Sequence, residues 1–122
     1  MRGVSIIGRF LEHGRMSYFR NGGNEEYFIG SADCMKRNLE SRVEVIAPVE
    51  DPQLRRELRV VIDAQLKPNR CQWEMQSDGS YINRGAGDSG PGCQQYLIDF
   101  SEKNRSRKKR HRGFARRNGR NL

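Results

Sequence analysis

The chain has 122 residues, of which 34% are hydrophobic, enough for one small domain with a modest core. Its formal charge of +8 is unevenly placed: residues 103–122 hold ten Lys or Arg and no Asp or Glu, whereas residues 1–102 hold 13 basic and 15 acidic side chains, a net of −2. The basic character therefore belongs to the tail and not to the body. Three cysteines (Cys34, Cys71 and Cys93) without a CxxC pair argue against a disulfide framework or a zinc site. No apolar run approaches the roughly 20 residues of a membrane span, and no signal-peptide core is present. These features point to a cytoplasmic chain with reduced thiols.

In chain order, Ile6, Ile7, Phe10 and Leu11 recur at about one helical turn, which predicts a short helix over Ser5–Glu12 ending near Gly14. Arg15–Phe19 reads as a strand and Asn21-Gly22-Gly23-Asn24 as a turn. Glu26–Gly30 is a second strand, so the pair forms a hairpin. Asp33–Leu39 is expected to be a helical turn capped by Ser31 or Asp33. Arg42–Val49 alternates and reads as a strand ended by Pro48.

The clearest helix runs from Asp51 to about Leu66. Asp51 is a good N-cap, and Pro52 suits the first helical position. Leu54, Leu58, Val61, Ile62 and Leu66 form an apolar stripe that predicts core packing. Arg55, Arg56 and Arg59 lie off it, on a face expected to be solvated. Arg70–Gln76 and Ser80–Asn83 flank the hairpin signal Asp78-Gly79. Residues 85–92 are Gly-rich and loop-like. A last helix is expected over Gly92–Lys103, with Tyr96, Leu97 and Phe100 on one face. The rest is a basic, low-complexity tail, expected to be disordered. A helix starting so near Met1 is short of partners, which suggests the back part of a larger α/β domain.

Chemistry concentrates in residues 8–38, where His13, several arginines and the block Gly30-Ser31-Ala32-Asp33 fall together. Arginine offers a rigid fork matched to phosphate oxygens. Histidine can donate to a phosphate or bridging oxygen near neutral pH. Gly14 and Gly30 let backbone approach an anion. The plainer readings are that His13 ends a helix, Ser31 and Asp33 cap the next one, and the arginines, Arg37 and Arg42 included, are solvated.

SIIGRFLEHGR at Ser5–Arg15, NGG at Asn21–Gly23 and YFIGSADCMKRNLESRVEVIAPVEDPQLRREL at Tyr27–Leu58, with weaker echoes in WEMQSDGSYI at Trp73–Ile82, resemble the C-terminal domain of bacterial polyphosphate kinase. The resemblance covers residues 4 to 100 and leaves out the tail. It implies an α/β (α+β) fold: a partial phospholipase D-like domain over residues 1–102, with a mixed sheet and flanking helices, followed by the disordered tail at 103–122. It implies transfer of the γ-phosphate of ATP to polyphosphate, through a phosphohistidine in an upstream domain. Mg2+ is expected for the full enzyme, with ligands outside this chain. No catalytic residue is expected here. His13 is implied as an ATP or phosphate contact, with Arg15 beside it and Ser31 and Asp33 in support.

Partners implied are ATP, polyphosphate, the rest of the kinase catalytic half and a second copy of the full enzyme. Nucleic acid on the tail is a weaker alternative. A peripheral place at the inner membrane is an alternative to a purely cytoplasmic one. Two rival functions stay open: a phospholipase D-like phosphodiesterase or nuclease half, and a non-enzymatic module for polyanions or nucleic acid. The first would need His13 with a lysine and an acidic partner. Arg15 stands where the lysine would be and Arg20 where the acid is expected, which argues against it. Cys34 stands where the family usually has tryptophan.

Overall fold

A computed structural model describes residues 2–118, with side chains through Ser106. Six strands and three helices follow in the order β1 (Gly3–Ile6), β2 (Met16–Phe19), β3 (Glu26–Gly30), α1 (Lys36–Ser41), β4 (Ile46–Pro48), α2 (Pro52–Leu66), β5 (Gln72–Met75), β6 (Tyr81–Asn83) and α3 (Cys93–Asn118). The α/β class holds. The expected mixed sheet takes the form of two three-stranded antiparallel sheets, ordered β1-β5-β6 and β2-β3-β4. The chain divides into two compact units. One comprises Leu11–Asp63; the other combines the residues up to Phe10 with those from Ala64 onward.

In the Leu11–Asp63 unit, local chemistry sets the hairpin. The turn Asn21–Gly23 joins β2 to β3, and Gly22 and Gly23 take φ of 59° and 98°, a region open to glycine at no steric cost. Register follows, with Phe19 opposite Glu26 and Met16 opposite Ile29. Tyr18 and Tyr27 face each other across the pair, ring centroids 5.0 Å apart. β4 adds to β3 with Gly30 opposite Ile46. It is shorter than the expected Arg42–Val49 strand: residues 42–45 lie outside the ladder, though the Val45 carbonyl still accepts from the Ser31 amide. The residue after β4, Val49, is buried, and its N–H donates to the Tyr27 carbonyl.

Helix α2 starts where expected. The Asp51 carboxylate accepts from the Gln53 and Leu54 amides at 2.7 and 2.9 Å, filling two of the donors that a helix start leaves open. Its apolar stripe does not form a core. Leu54 is 52% exposed and Leu66 58%, and no α2 residue is buried. Tyr27, Val49 and Cys93 are the buried apolar residues among those described. A short chain divided into two units has too little interior to cover such a stripe.

In the other unit, the predicted helix over Ser5–Glu12 is replaced by β1 and an irregular loop. Gly3–Ile6 pairs antiparallel with β5, Ser5 opposite Trp73, and the Ile7 amide continues the ladder to the Cys71 carbonyl at 2.8 Å. This long-range pairing overrides the helical spacing of the apolar residues. β5 and β6 form the expected hairpin around Asp78-Gly79, Gly79 at φ 84°. At its centre Glu74 is buried and gripped by two arginines. Arg2 donates to both carboxylate oxygens at 2.9 and 3.1 Å, and Arg84 Nε donates to Oε2. Bonds from Arg84 and then Arg2 hold this carboxyl at about 2, far below its ordinary 4.5.

A depressed carboxyl stabilises the fold fully above its unfolded pKa, and that contribution is lost as pH falls. The Glu74 contribution should therefore be complete above about pH 4.5 and vanish towards pH 2. Thermal melts of the parent and a Glu74→Gln variant should differ most near neutrality and converge in acid. A constant gap across that window would exclude Glu74 as the cause.

α3 continues past the expected end at Lys103 to Asn118. Over residues 103–118 the disordered tail is thus corrected to helix. Arg and Lys are good helix formers, and Pro is absent from this stretch. Residues 119–122 of the expected tail lie outside the described residues. The helix is anchored at its start, where the Gln94 amide both donates to the Phe10 carbonyl (2.8 Å) and accepts from the Phe10 N–H (3.1 Å).

Candidate phosphate-binding site

Glu12 to Ser17 and Phe28 to Gly30, with Ala32, Asp33, Cys34 and Ile46, line a cavity of about 440 Å³ within the Leu11–Asp63 unit. His13 lies on the loop before β2, exposed and not at a helix end as expected. Arg15 leads directly into β2. Across the sheet, β3 ends at Gly30 and the chain turns through Ser31 to Asp33. Sheet pairing of Met16 with Ile29 sets these two segments side by side.

Arg15 joins them. Its Nη2 donates to Asp33 Oδ2 at 3.0 Å, and its Nη1 donates to the Ser31 carbonyl. Both side chains of this ion pair are about a quarter exposed, so the charges are partly shielded from water but reachable. Two of the five guanidinium N–H donors are used in these bonds. The others remain for an anion.

Ser31 and Asp33 do not cap α1. Its N-cap residue is Met35, with no side-chain bond. Ser31 Oγ instead donates to the Glu44 carboxylate and accepts from the Val45 amide at 3.1 Å. The Ser31 amide donates to the Val45 carbonyl at 2.9 Å. Ser31 thus fastens the exit of β3 to the approach of β4, while Asp33 holds Arg15. The cavity brings His13, Arg15 and Asp33 together; Ser31 acts beside it through its backbone and hydroxyl. Arg37 and Arg42 are exposed and do not line it.

A second cluster carried no sequence signal. Arg55 and Arg59, expected on a solvated face, reach back to the hairpin. Arg55 donates to the Val49 carbonyl at 2.7 Å and the Glu25 carbonyl at 3.4 Å. Arg59 pairs with Asp63 and Glu25 and lies 5.0 Å over the Tyr18 ring. Tyr18 donates to Glu25 at 2.7 Å, which pushes the phenol up and the carboxyl down. Arg55, Arg56, Arg59 and Glu25, with Gly23, Asn24, Tyr27 and Pro52, line a cavity of about 460 Å³. Here Arg55 and Arg59 are matched by protein acceptors, so the cluster locks α2 to the hairpin.

Among the described residues no three His, Cys, Asp or Glu side chains come together as a metal site would need. No helix among them is long and apolar enough to cross a membrane.

An α/β framework thus brings a histidine, a partly exposed guanidinium and its carboxylate to one open cavity. The family model that matches residues 1–95 is the polyphosphate kinase C-terminal domain 2. The chain belongs to that family. Polyphosphate kinase of Parasynechococcus marenigrum is 59% identical over 81 residues, 66% of this chain and 11% of that protein. Polyphosphate kinase of Synechocystis is 54% identical over 84 residues, 69% of this chain and 12% of that protein. The crystal structure of polyphosphate kinase from Porphyromonas gingivalis superposes with a TM-score of 0.77 at 38% identity, covering 84% of this chain and 16% of that one. The chain spans about a tenth of the length of the relatives it matches by sequence.

Proposed function

We propose that the chain supplies the His13 and Arg15 phosphate pocket of a polyphosphate kinase. The substrates would be ATP and polyphosphate, and the reaction the transfer of the γ-phosphate to a growing chain through a phosphohistidine on an upstream domain. One observation carries this reading: His13, Arg15 and Asp33 meet on a single open cavity in a chain of that family. Phosphoryl transfer needs positioned positive charge more than covalent machinery.

The guanidinium of Arg15, already aimed by Asp33 and Ser31, would take phosphate oxygens through its remaining N–H groups. His13, exposed on the cavity wall, would hydrogen-bond a terminal or bridging phosphate oxygen. Asp33 and Ser31 position Arg15 and touch no phosphate themselves. The working enzyme would be cytoplasmic and assembled with the rest of the kinase catalytic half, as an oligomer of the full enzyme.

The pocket is tested by calorimetric titration of the chain with ATP, parent against His13→Gln. Weaker binding by the variant supports the reading, and equal affinity refutes it. Transfer itself should fail, because the body holds no second histidine: His111, the other one, lies in the α3 extension. Incubation of the purified chain with γ-labelled ATP should leave no acid-stable polyphosphate. Recovery of labelled polymer would overturn the upstream phosphohistidine.

A further inference from the structure

We propose that the C-terminal half of α3 is a docking rod for inorganic polyphosphate. The proposal rests on the polyphosphate kinase reading but not on the His13 pocket. The family match ends at residue 95, the third residue of α3, while the helix continues to Asn118. At 1.5 Å per residue its 26 residues extend about 39 Å. From Lys103 to Asn118 the sequence carries nine Lys or Arg and no Asp or Glu. Lys103 and Arg105, whose side chains are described, are exposed.

Such a helix is electrostatically costly by itself. Lys103 and Arg107, Arg105 and Lys109, Lys108 and Arg112, and Arg112 and Arg116 each lie four positions apart, one turn along the helix. Like charges at that spacing destabilise a helix. Phe114 and Ala115 are the apolar side chains of the stretch, too few to form a stripe that could pack on protein. What favours this helix is a ligand that brings negative charge without asking for an apolar face.

The choice between linear polyanions follows from what the stretch lacks. Single-stranded nucleic acid is gripped by stacking its bases on aromatic rings as well as by charge, and only His111 and Phe114 offer rings here. Polyphosphate has no bases. Its charged phosphorus centres are separated by single bridging oxygens, whereas RNA interposes a sugar between phosphates. Counterion release therefore favours polyphosphate on a dense basic rod. The body, with a net charge of −2 over residues 1–102, offers no comparable run of positive charge. A kinase domain carrying this rod would keep its polymer close between transfers.

The full chain is titrated with long-chain inorganic polyphosphate, and separately with single-stranded RNA at equal phosphate concentration. Two variants run beside it: a chain ending at Glu102, and a full-length chain with Lys108→Gln, Lys109→Gln and Arg110→Gln, which keeps length and helix propensity. Polyphosphate should bind the parent at least about tenfold more tightly than either variant, with affinity falling steeply as salt rises. Binding by both variants as tight as the parent's, or displacement of polyphosphate by RNA at equal phosphate, overturns the proposal. Equal ATP affinity in the parent and in His13→Gln sinks the pocket alone, and equal polyphosphate affinity in the parent and in the chain ending at Glu102 sinks the rod alone.

Discussion

Arg15→Ala should weaken ATP binding by about 10- to 100-fold, measured by titration calorimetry on the purified chain. Hydrogen bonds to charged partners contribute about 1.5–3 kcal/mol each, and every 1.4 kcal/mol or so is a factor of ten. The substitution removes the proposed phosphate contact and also the grip on Asp33 and the Ser31 carbonyl. Asp33 is then left as an uncompensated negative charge on the cavity wall, which repels phosphate. Arg15→Lys should recover little. An ammonium cannot serve Asp33, the Ser31 carbonyl and a phosphate in one planar fork. Unchanged affinity in the alanine variant would place the phosphate elsewhere.

Gly30→Ala should be the most damaging single-methyl change in the Leu11–Asp63 unit. A Cβ at Gly30 would overlap the Val45 carbonyl oxygen and stand 3.0 Å from the Ile46 Cα. Both are backbone atoms of the segment β3 pairs with, so no flexible side chain can give way. Overpacking of this kind costs about 1–3 kcal/mol. The obstructed carbonyl also accepts from the Ser31 amide, so the methyl pries apart the link between β3 and the approach to β4. The melting temperature should drop by several degrees, and ATP binding should fall with it because Gly30 lines the cavity. A variant that melts with the parent would mean that the β3–β4 spacing is loose.

The elements legible in the sequence are those fixed by neighbouring residues. Asn21–Gly23 and Asp78-Gly79 announce their turns, and Asp51-Pro52 announces α2, because glycine, aspartate and proline act within a few positions. β1 was not legible: its partner Trp73 lies far along the chain from Ser5, while Ile6, Ile7, Phe10 and Leu11 imitate a helical period. The α2 stripe misleads for a related reason. Periodicity shows which face is apolar, not whether anything covers it. Likewise, lysine and arginine have good intrinsic helix propensity, so a basic composition does not by itself mark disorder, even though like charges four positions apart oppose the helix.

The site divides in the same way. His13, Arg15 and the Gly30–Asp33 block could be picked out as residue types suited to phosphate. The bond from Arg15 to Asp33 depends on the β2–β3 register, so capping was the natural sequence reading for Ser31 and Asp33. The embrace of Arg55 and Arg59 with the hairpin is a tertiary contact with no local mark.

The three thiols differ sharply in their access to solvent: Cys34 is exposed on the cavity wall, Cys71 half-buried and Cys93 buried. A small alkylating reagent would therefore modify them in that order, and the chain carries its own labelling ladder. Mass shifts counted over time would follow opening at Cys93, while shielding of Cys34 would report occupancy of the pocket, without an introduced probe.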